Sequence, residues 1–494
     1  MRIAVTRFRL HAMVGAFALA FAAPSQAQTA PDIDAKLKAM AAQIEALQQQ
    51  LKELQASAAA AAPAQVMTRP AVDTPTAATP AVSPATTVAA ADPAAAKGLT
   101  EGTLPNSWKL PGTNTSIKIG GYIKLDVVKD ISGGMGGNPT MISYIPAKGS
   151  AQAERGDNFY MSARESRLNL ATSTPTSWGE LYTFIEGDFY GAGGGELYTN
   201  SSAFRLRHAY GKMDRWLVGQ WWSNFANLDA FPETLDFNGP IGLPNATRSP
   251  QIRYSIPLGS DELAFDIENP EADFFGANTI SYQTGQTMQP LNFTDKVPDF
   301  TARYQLNRPW GNVAVAGVLR RMTIDNAGQP AVNGFVGEDS VNGYGVLVSG
   351  RYNYSGKSGV LANFTTGEGI ARYIFGSVGF DEGGSDSAAI VDGKLKATRS
   401  SGVTLGVQHF WSNALRSSFT WGAIKTDHPH PAYPLTAIGK QQSFHLNTLW
   451  NPLPPLTLGL EYIYARIEND TQPTETLSNK GDASRIQAGA ILAF

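Results

Sequence analysis

Arg485-Ile-Gln-Ala-Gly-Ala-Ile-Leu-Ala-Phe494 places Ile486, Ala488, Ala490, Leu492 and Phe494 at a period of two and ends on an aromatic residue. Side chains alternate across a strand, so this segment has one apolar face and one mixed face, and it is about long enough to cross a bilayer when tilted. In water such a strand would offer a sticky edge. A closed membrane barrel has no edge, because its last strand pairs with its first. The segment therefore predicts an outer-membrane β-barrel.

The amino end agrees. Arg2, Arg7 and Arg9 precede an apolar run from Met13 to Ala23, and Pro24-Ser25-Gln26-Ala27 has small residues where a signal peptidase reads. Residues 1–27 are expected to be a secretory signal peptide, too short to anchor the chain. No later stretch reaches the ~18 continuous apolar residues of a spanning helix. Cysteine is absent, which excludes disulfides and thiolate-metal sites. With 39 basic and 42 acidic residues, the charge balance gives no reason to expect a nucleic-acid partner.

Three segments follow. Ile33, Leu37, Met40, Ile44, Leu47, Leu51 and Leu54 are spaced 4-3-4-3-4-3, a heptad seam that predicts an N-terminal α-helical coiled coil over 32–55, in the periplasm. So short a coil is marginal alone, so the chains must also be held together elsewhere. Residues 56–105 are mostly Ala, Pro, Thr and Val, with prolines that interrupt any helix; a disordered spacer is expected. Residues 106–494 carry the barrel pattern.

Sixteen strands can be read: 116–128, 159–173, 179–190, 204–213, 216–222, 250–256, 262–268, 299–305, 311–322, 342–352, 357–365, 400–411, 414–425, 441–451, 456–468 and 485–494. Alternate connections are long and rich in Gly, Asp and Asn, while those between, such as 175–178, 257–261, 307–310 and 451–455, are short turns. Long external loops alternating with short periplasmic turns are the arrangement of an antiparallel transmembrane barrel, and a soluble sandwich predicts no such alternation. The fold class is all-β, a 16-stranded antiparallel barrel behind a coiled coil.

Alternation also assigns faces. Ile117, Ile119, Ile123, Leu125 and Val127 point to lipid, which leaves Lys118, Lys124 and Asp126 inside. Phe204, Leu206 and Tyr210 outside put Arg205 and Arg207 in the lumen, and Ile252, Tyr254 and Ile256 do the same for Arg253. Arg167, Arg303, Arg351, Arg416 and Arg485 follow by the same parity. Inward acids are Asp126, Glu165, Glu186, Asp188, Glu262, Asp266, Glu268 and Glu461, so the wall is only weakly basic and the distribution of charge near the narrowest point must decide ion entry.

That point is expected in the connection after the fifth strand, from Ser223 to Pro240, which mixes Phe225, Leu228, Phe231, Leu235 and Phe237 with Asp229, Glu233 and Asp236. An inward-folded loop explains the mixture, and a lumen of this width needs one. Arg167, Arg205, Arg207 and Arg253 would then face the three loop acids across water.

Asn158-Phe-Tyr-Met-Ser-Ala-Arg164-Glu-Ser-Arg167-Leu-Asn-Leu170, Phe184-Ile-Glu-Gly-Asp-Phe-Tyr-Gly191, Leu206-Arg-His-Ala-Tyr-Gly211 and Val218-Gly-Gln-Trp-Trp-Ser223 resemble the second to fifth strands of trimeric general porins. Phe231-Pro-Glu-Thr-Leu-Asp-Phe-Asn-Gly-Pro240 and Arg248-Ser-Pro-Gln-Ile-Arg-Tyr254 narrow the resemblance to the DcaP-like porins. It implies a homotrimer in the outer-membrane lipid that passes small anionic solutes, dicarboxylates in particular, through a basic constriction. The other reading is a non-selective general porin whose coil is a structural periplasmic arm or tether, with a periplasmic or cell-wall component as its partner.

Remaining motifs are weaker. His428 and His430 offer two imidazoles in an external loop, short of the three or four ligands a metal site needs. Gly133-Gly-Met-Gly-Gly137 and Gly191-Ala-Gly-Gly-Gly195 lack the ending of a phosphate loop. His208 and His409 fall on the lipid side by parity. No Ser, His and carboxylate set can be assembled, so neither catalysis nor a cofactor is expected.

Overall fold

The structure, a computed structural model, describes residues 100–494 except 154–155, 192–199, 245–247, 272–278, 282–285, 289–295, 326–336, 378–386, 430–436, 471–472 and 475. The expected signal peptide, the coiled coil and most of the spacer lie outside the described residues.

Sixteen antiparallel strands form one closed wall. They are β1 (Ser116–Ser132), β2 in two pieces (Phe159–Ser162 and Arg167–Thr176), β3 (Gly179–Gly191), β4 (Ala203–Met213), β5 (Trp216–Trp222), β6 (Arg248–Leu258), β7 (Asp261–Glu268) and β8 (Asp299–Arg308). They continue as β9 (Gly311–Asp325), β10 (Glu338–Ser355), β11 (Ser358–Glu368), β12 (Arg399–Phe410), β13 (Leu415–Asp427), β14 (Ile438–Leu453), β15 (Leu456–Asn469) and β16 (Lys480–Ala493). Each pairs with its neighbour in sequence, and β16 closes on β1 through Leu125↔Ala490, Val127↔Ala488 and Lys129↔Ile486. The wall thereby has no free edge, as a hydrocarbon environment demands.

The faces follow the sequence. Along β1, Ile119, Ile123 and Leu125 are exposed outward, while Lys124, Asp126 and Asp130 are fully buried inside. Short turns occupy one end of the barrel, and five of the nine tryptophans, Trp178, Trp216, Trp310, Trp411 and Trp450, stand exposed at or beside them. Amphipathic indoles at one level are the girdle of a membrane interface.

Inside, the lumen is partly filled. Met135, Ile142 and Ile145 from the first long connection, Phe225 and Ile241 from the connection after β5, and Ile370, Tyr373 and Ile374 from the connection after β11 form an apolar cluster. They pack on Val318, Leu347, Ile424, Ile463 and Ala483 of the wall. Three loops thus turn inward and share one core.

Candidate constriction and pore lining

The segment 223–243 crosses the lumen along the wall and is fixed by side chains from successive strands. Ser223 Oγ and the Asn224 N–H donate to Glu268 of β7 (2.7 and 3.0 Å). Asn227 donates to Asn312 of β9 (2.8 Å), and Asn363 of β11 donates to the Ala230 carbonyl (2.9 Å). Arg416 of β13 grips Glu233 bidentately (2.6 and 2.7 Å), and Asn447 of β14 donates to the Glu233 carbonyl (2.8 Å). Glu461 of β15 then accepts the Leu235 N–H (2.6 Å), and Lys124 of β1 donates to the Leu235 carbonyl (2.6 Å). An irregular segment inside a protein must satisfy its main-chain groups one by one, and here the wall supplies the partners.

Packing explains why the loop lies so close. Leu235 sits in a hollow where a Cβ on Gly459 or Gly489 would meet its methyl groups at 2.8 and 3.0 Å. A Cβ on Gly422 would strike the Ile241 carbonyl at 2.0 Å, so only glycine there lets loop backbone touch wall backbone. Tyr373 donates to Asp299 (2.8 Å) behind the loop; burial, then the nearby Glu268 and Asp299, push its hydroxyl well up, so it remains a donor.

Across the lumen, β2, β3, β4 and β6 carry the basic cluster. Arg205 pairs with Asp188 through two bonds (2.9 and 2.7 Å), and Arg207 bridges Glu186 and Asp188 (2.9 Å each). Arg167 lies 3.7 Å from Glu186. Arg248 stacks on Trp222 (4.6 Å) and has no acidic partner among the described residues. Four arginines against Glu186 and Asp188 leave a local charge of 4 − 2 = +2. Arg205 and Arg167 keep 31% and 22% of their side chains exposed, whereas Arg207 keeps 3%. Arg205 and Arg167 therefore meet water, and Arg207 holds the carboxylates.

The group facing these arginines is Phe237 rather than an acid. Its ring lies 5.8, 5.5 and 5.3 Å from the guanidinium carbons of Arg167, Arg205 and Arg207. The loop acids are spent elsewhere. Glu233 is held by Arg416, and Asp229 accepts from Gln305 of β8 (2.9 Å). Asp236 is buried and accepts from the Thr140 hydroxyl (2.7 Å) and the Asn238 and Gly239 N–H groups, so it fastens a turn instead of lining the gap. Arg253, buried, is bound to Asp266, Gln251 and the Trp222 carbonyl. Arg303 pairs with Glu262 (2.7 Å). Lys124 is buried against Glu165 and Asp126 and serves the loop. Lys118, half-buried in the lumen, has no acidic partner among the described residues.

A profile of the DcaP outer membrane protein family matches residues 102–487. The chain belongs to this family. Its members are channels rather than enzymes, and the family and fold place the chain in the outer membrane. The outer membrane channel DcaP of Acinetobacter baumannii is similar in fold, with a TM-score of 0.63 at 22% identity, over 78% of this chain and 99% of that one. An anion-selective porin from Comamonas acidovorans aligns at 12% identity and a TM-score of 0.45, over 77% of this chain and all of that one. Comparison with curated proteins found no match.

Within this DcaP-family barrel, sequence parity missed two features. A bulge in β4 pairs Glu186 with His208 and Gly187 with Leu206, leaving Arg207 unopposed. Two successive residues of a bulge can share a face, so His208 and Tyr210 turn inward and not toward lipid. His208 is buried against Trp221 (4.3 Å) and Trp222 (5.3 Å). Arg248 was missed because the strand was read from 250 and begins two residues earlier, at Arg248 itself.

Proposed function

We propose that this outer-membrane channel passes small anionic solutes, dicarboxylates in particular, and does so as a homotrimer. The observation that carries the reading is the local excess of two positive charges on β2–β6, with Arg167 and Arg205 turned to water beside the loop. An arginine binds a carboxylate bidentately, and weak successive sites let a doubly charged solute enter and leave. The heptad seam at 32–55 and the likeness to trimeric porins favour three chains. A non-selective porin is the second reading, favoured by two lumen acids away from the arginine cluster, Asp229 on the loop, whose partner Gln305 is neutral, and the part-exposed Glu262 of β7, which offset the basic excess.

Reversal potential of the full chain in a planar bilayer under a salt gradient separates the two. Anion preference, with conductance arriving in groups of three, is expected. Arg167→Gln with Arg205→Gln takes the cluster from +2 to 0 and leaves Arg207 to hold the acids, so the preference should fall toward unity, most visibly in dilute salt where screening reaches ~30 Å rather than ~3 Å. An unchanged potential in the double variant would sink the arginine reading, and a cation-selective parent would sink anion passage.

A further inference from the structure

The register places inner side chains in rows around the wall. One row holds Lys118, Ala171, Phe184 and Tyr210, directly opposed across β1 to β4. Four residues further along β1, another row holds Tyr122, Arg167, Asp188 and Arg205. At about 3.3 Å per residue the two rows stand roughly 13 Å apart along the strand, within reach of long side chains from both. Between them lies the row of Gly120, Asn169, Glu186 and His208, with Glu186 committed to Arg207 (2.9 Å) and 3.7 Å from Arg167, and beside Phe184 lies Ala171, so the wall next to Lys118 itself is low.

The rings flank this low wall. Phe184 and Tyr210 lie 5.8 Å apart, and Trp221 lies 4.6 Å from Tyr210. All three are half-buried, neither sunk into the wall nor turned to lipid. Tyr210 joins Phe184 on the inner face through the same bulge that turned His208 inward, and the stripe begins below the arginines. A lumen that handled only compact charged solutes would gain nothing from aromatic faces wetted by water. A free ammonium on one side, guanidinium above and a ring wall on the other side suit a solute that is flat and apolar in its body and negative at its edge.

We propose that Lys118, Arg167 and the Phe184–Tyr210–Trp221 wall form a subsite for ring-bearing carboxylates on the short-turn side of the constriction. The ring lies against the aromatic wall, and the carboxylate lies between Lys118 Nζ and the Arg167 guanidinium. This rests on the anion-passing reading and deepens it: at equal charge, aromatic carboxylates are preferred over aliphatic ones.

The test uses the full chain in planar bilayers with sodium chloride, benzoate and hexanoate, the two organic anions being singly charged and close in size. Ring stacking predicts that benzoate permeates, or blocks chloride current, about threefold more effectively than hexanoate. Phe184→Leu with Trp221→Leu should bring the two together while the chloride-to-sodium preference stays as in the parent. Phe184→Tyr, which keeps a ring, should keep the benzoate advantage. Equal behaviour of benzoate and hexanoate in the parent, with chloride preference intact, overturns the subsite alone. Loss of chloride preference in the leucine variant would also overturn it, since the rings would then act only by holding the arginines. A cation-selective parent overturns both this and the reading beneath it.

Discussion

The inner faces of β2–β6 and of β9–β15 belong to one continuous sheet, yet they hold different chemistry. On β9–β15 the inward groups that touch the loop are mostly amides and matched pairs: Asn312, Asn363, Asn447, the Arg416–Glu233 fork, and Glu461 with His445 2.9 Å away. On β2–β6 arginines outnumber acids and rings are half-exposed. The β9–β15 wall is saturated by the loop and has little left to offer a solute. The β2–β6 wall carries the unspent charge. A count of inward charges therefore says little about selectivity until those committed to holding the loop are set aside.

The largest break in this division should come from Glu461→Leu. The carboxylate accepts from Leu235 N–H, from Asn447 (3.0 Å) and from His445, all buried, and each orphaned group costs about 1–3 kcal/mol. The sixteen-stranded wall should survive, and the loop should come away from β15. Single-channel recordings are expected to show higher and noisier conductance, and added protease should cut between 228 and 243. A variant with parental conductance and an uncut loop would show that the wall contacts elsewhere suffice.

Gly422→Val attacks the same wall through shape alone. The new Cβ would begin 2.0 Å from the Ile241 carbonyl, which must move by more than an ångström. Overpacking of this kind costs about 1–3 kcal/mol. Conductance should change in the same direction as for Glu461→Leu but less, with anion preference kept, because no group on β2–β6 is touched. A change of selectivity without a change of conductance would mean the two walls are coupled.

Much of this was legible in the residues. Alternation from Ile117 to Val127 and from Ile486 to Phe494 gave the strands and their closure, because period two is enforced wherever one face meets lipid. The loop's mixture of Phe225, Leu235 and Asp236 gave its inward fold. The bulge at Arg207 was hidden, since a one-residue irregularity leaves composition unchanged while reversing the faces of His208 and Tyr210. The partners of Glu233 and Asp236 were hidden for another reason: Arg416 and Thr140 are distant in sequence, and only the closed register brings them to the loop. The inward turn of 135–145 and 370–374 did leave a trace, in isoleucines too many for solvated loops.

Phe237→Leu should have the smallest effect, and it probes the boundary between the two walls directly. The ring is where the loop meets the basic wall, with three guanidinium groups within 5.8 Å. Leucine keeps most of the volume and loses the negative ring face, and each such contact is worth about 0.5–1 kcal/mol where water still reaches it. The loop's other anchors, from Glu268 to Lys124, remain. Conductance should therefore stay near the parental value, while Arg167 and Arg205, released from the ring, shift reversal potential slightly further toward anions. If conductance instead rose as for Glu461→Leu, the basic wall would be holding the loop after all, and the separation of a clamping wall from a solute-facing one would fail at the residue where they touch.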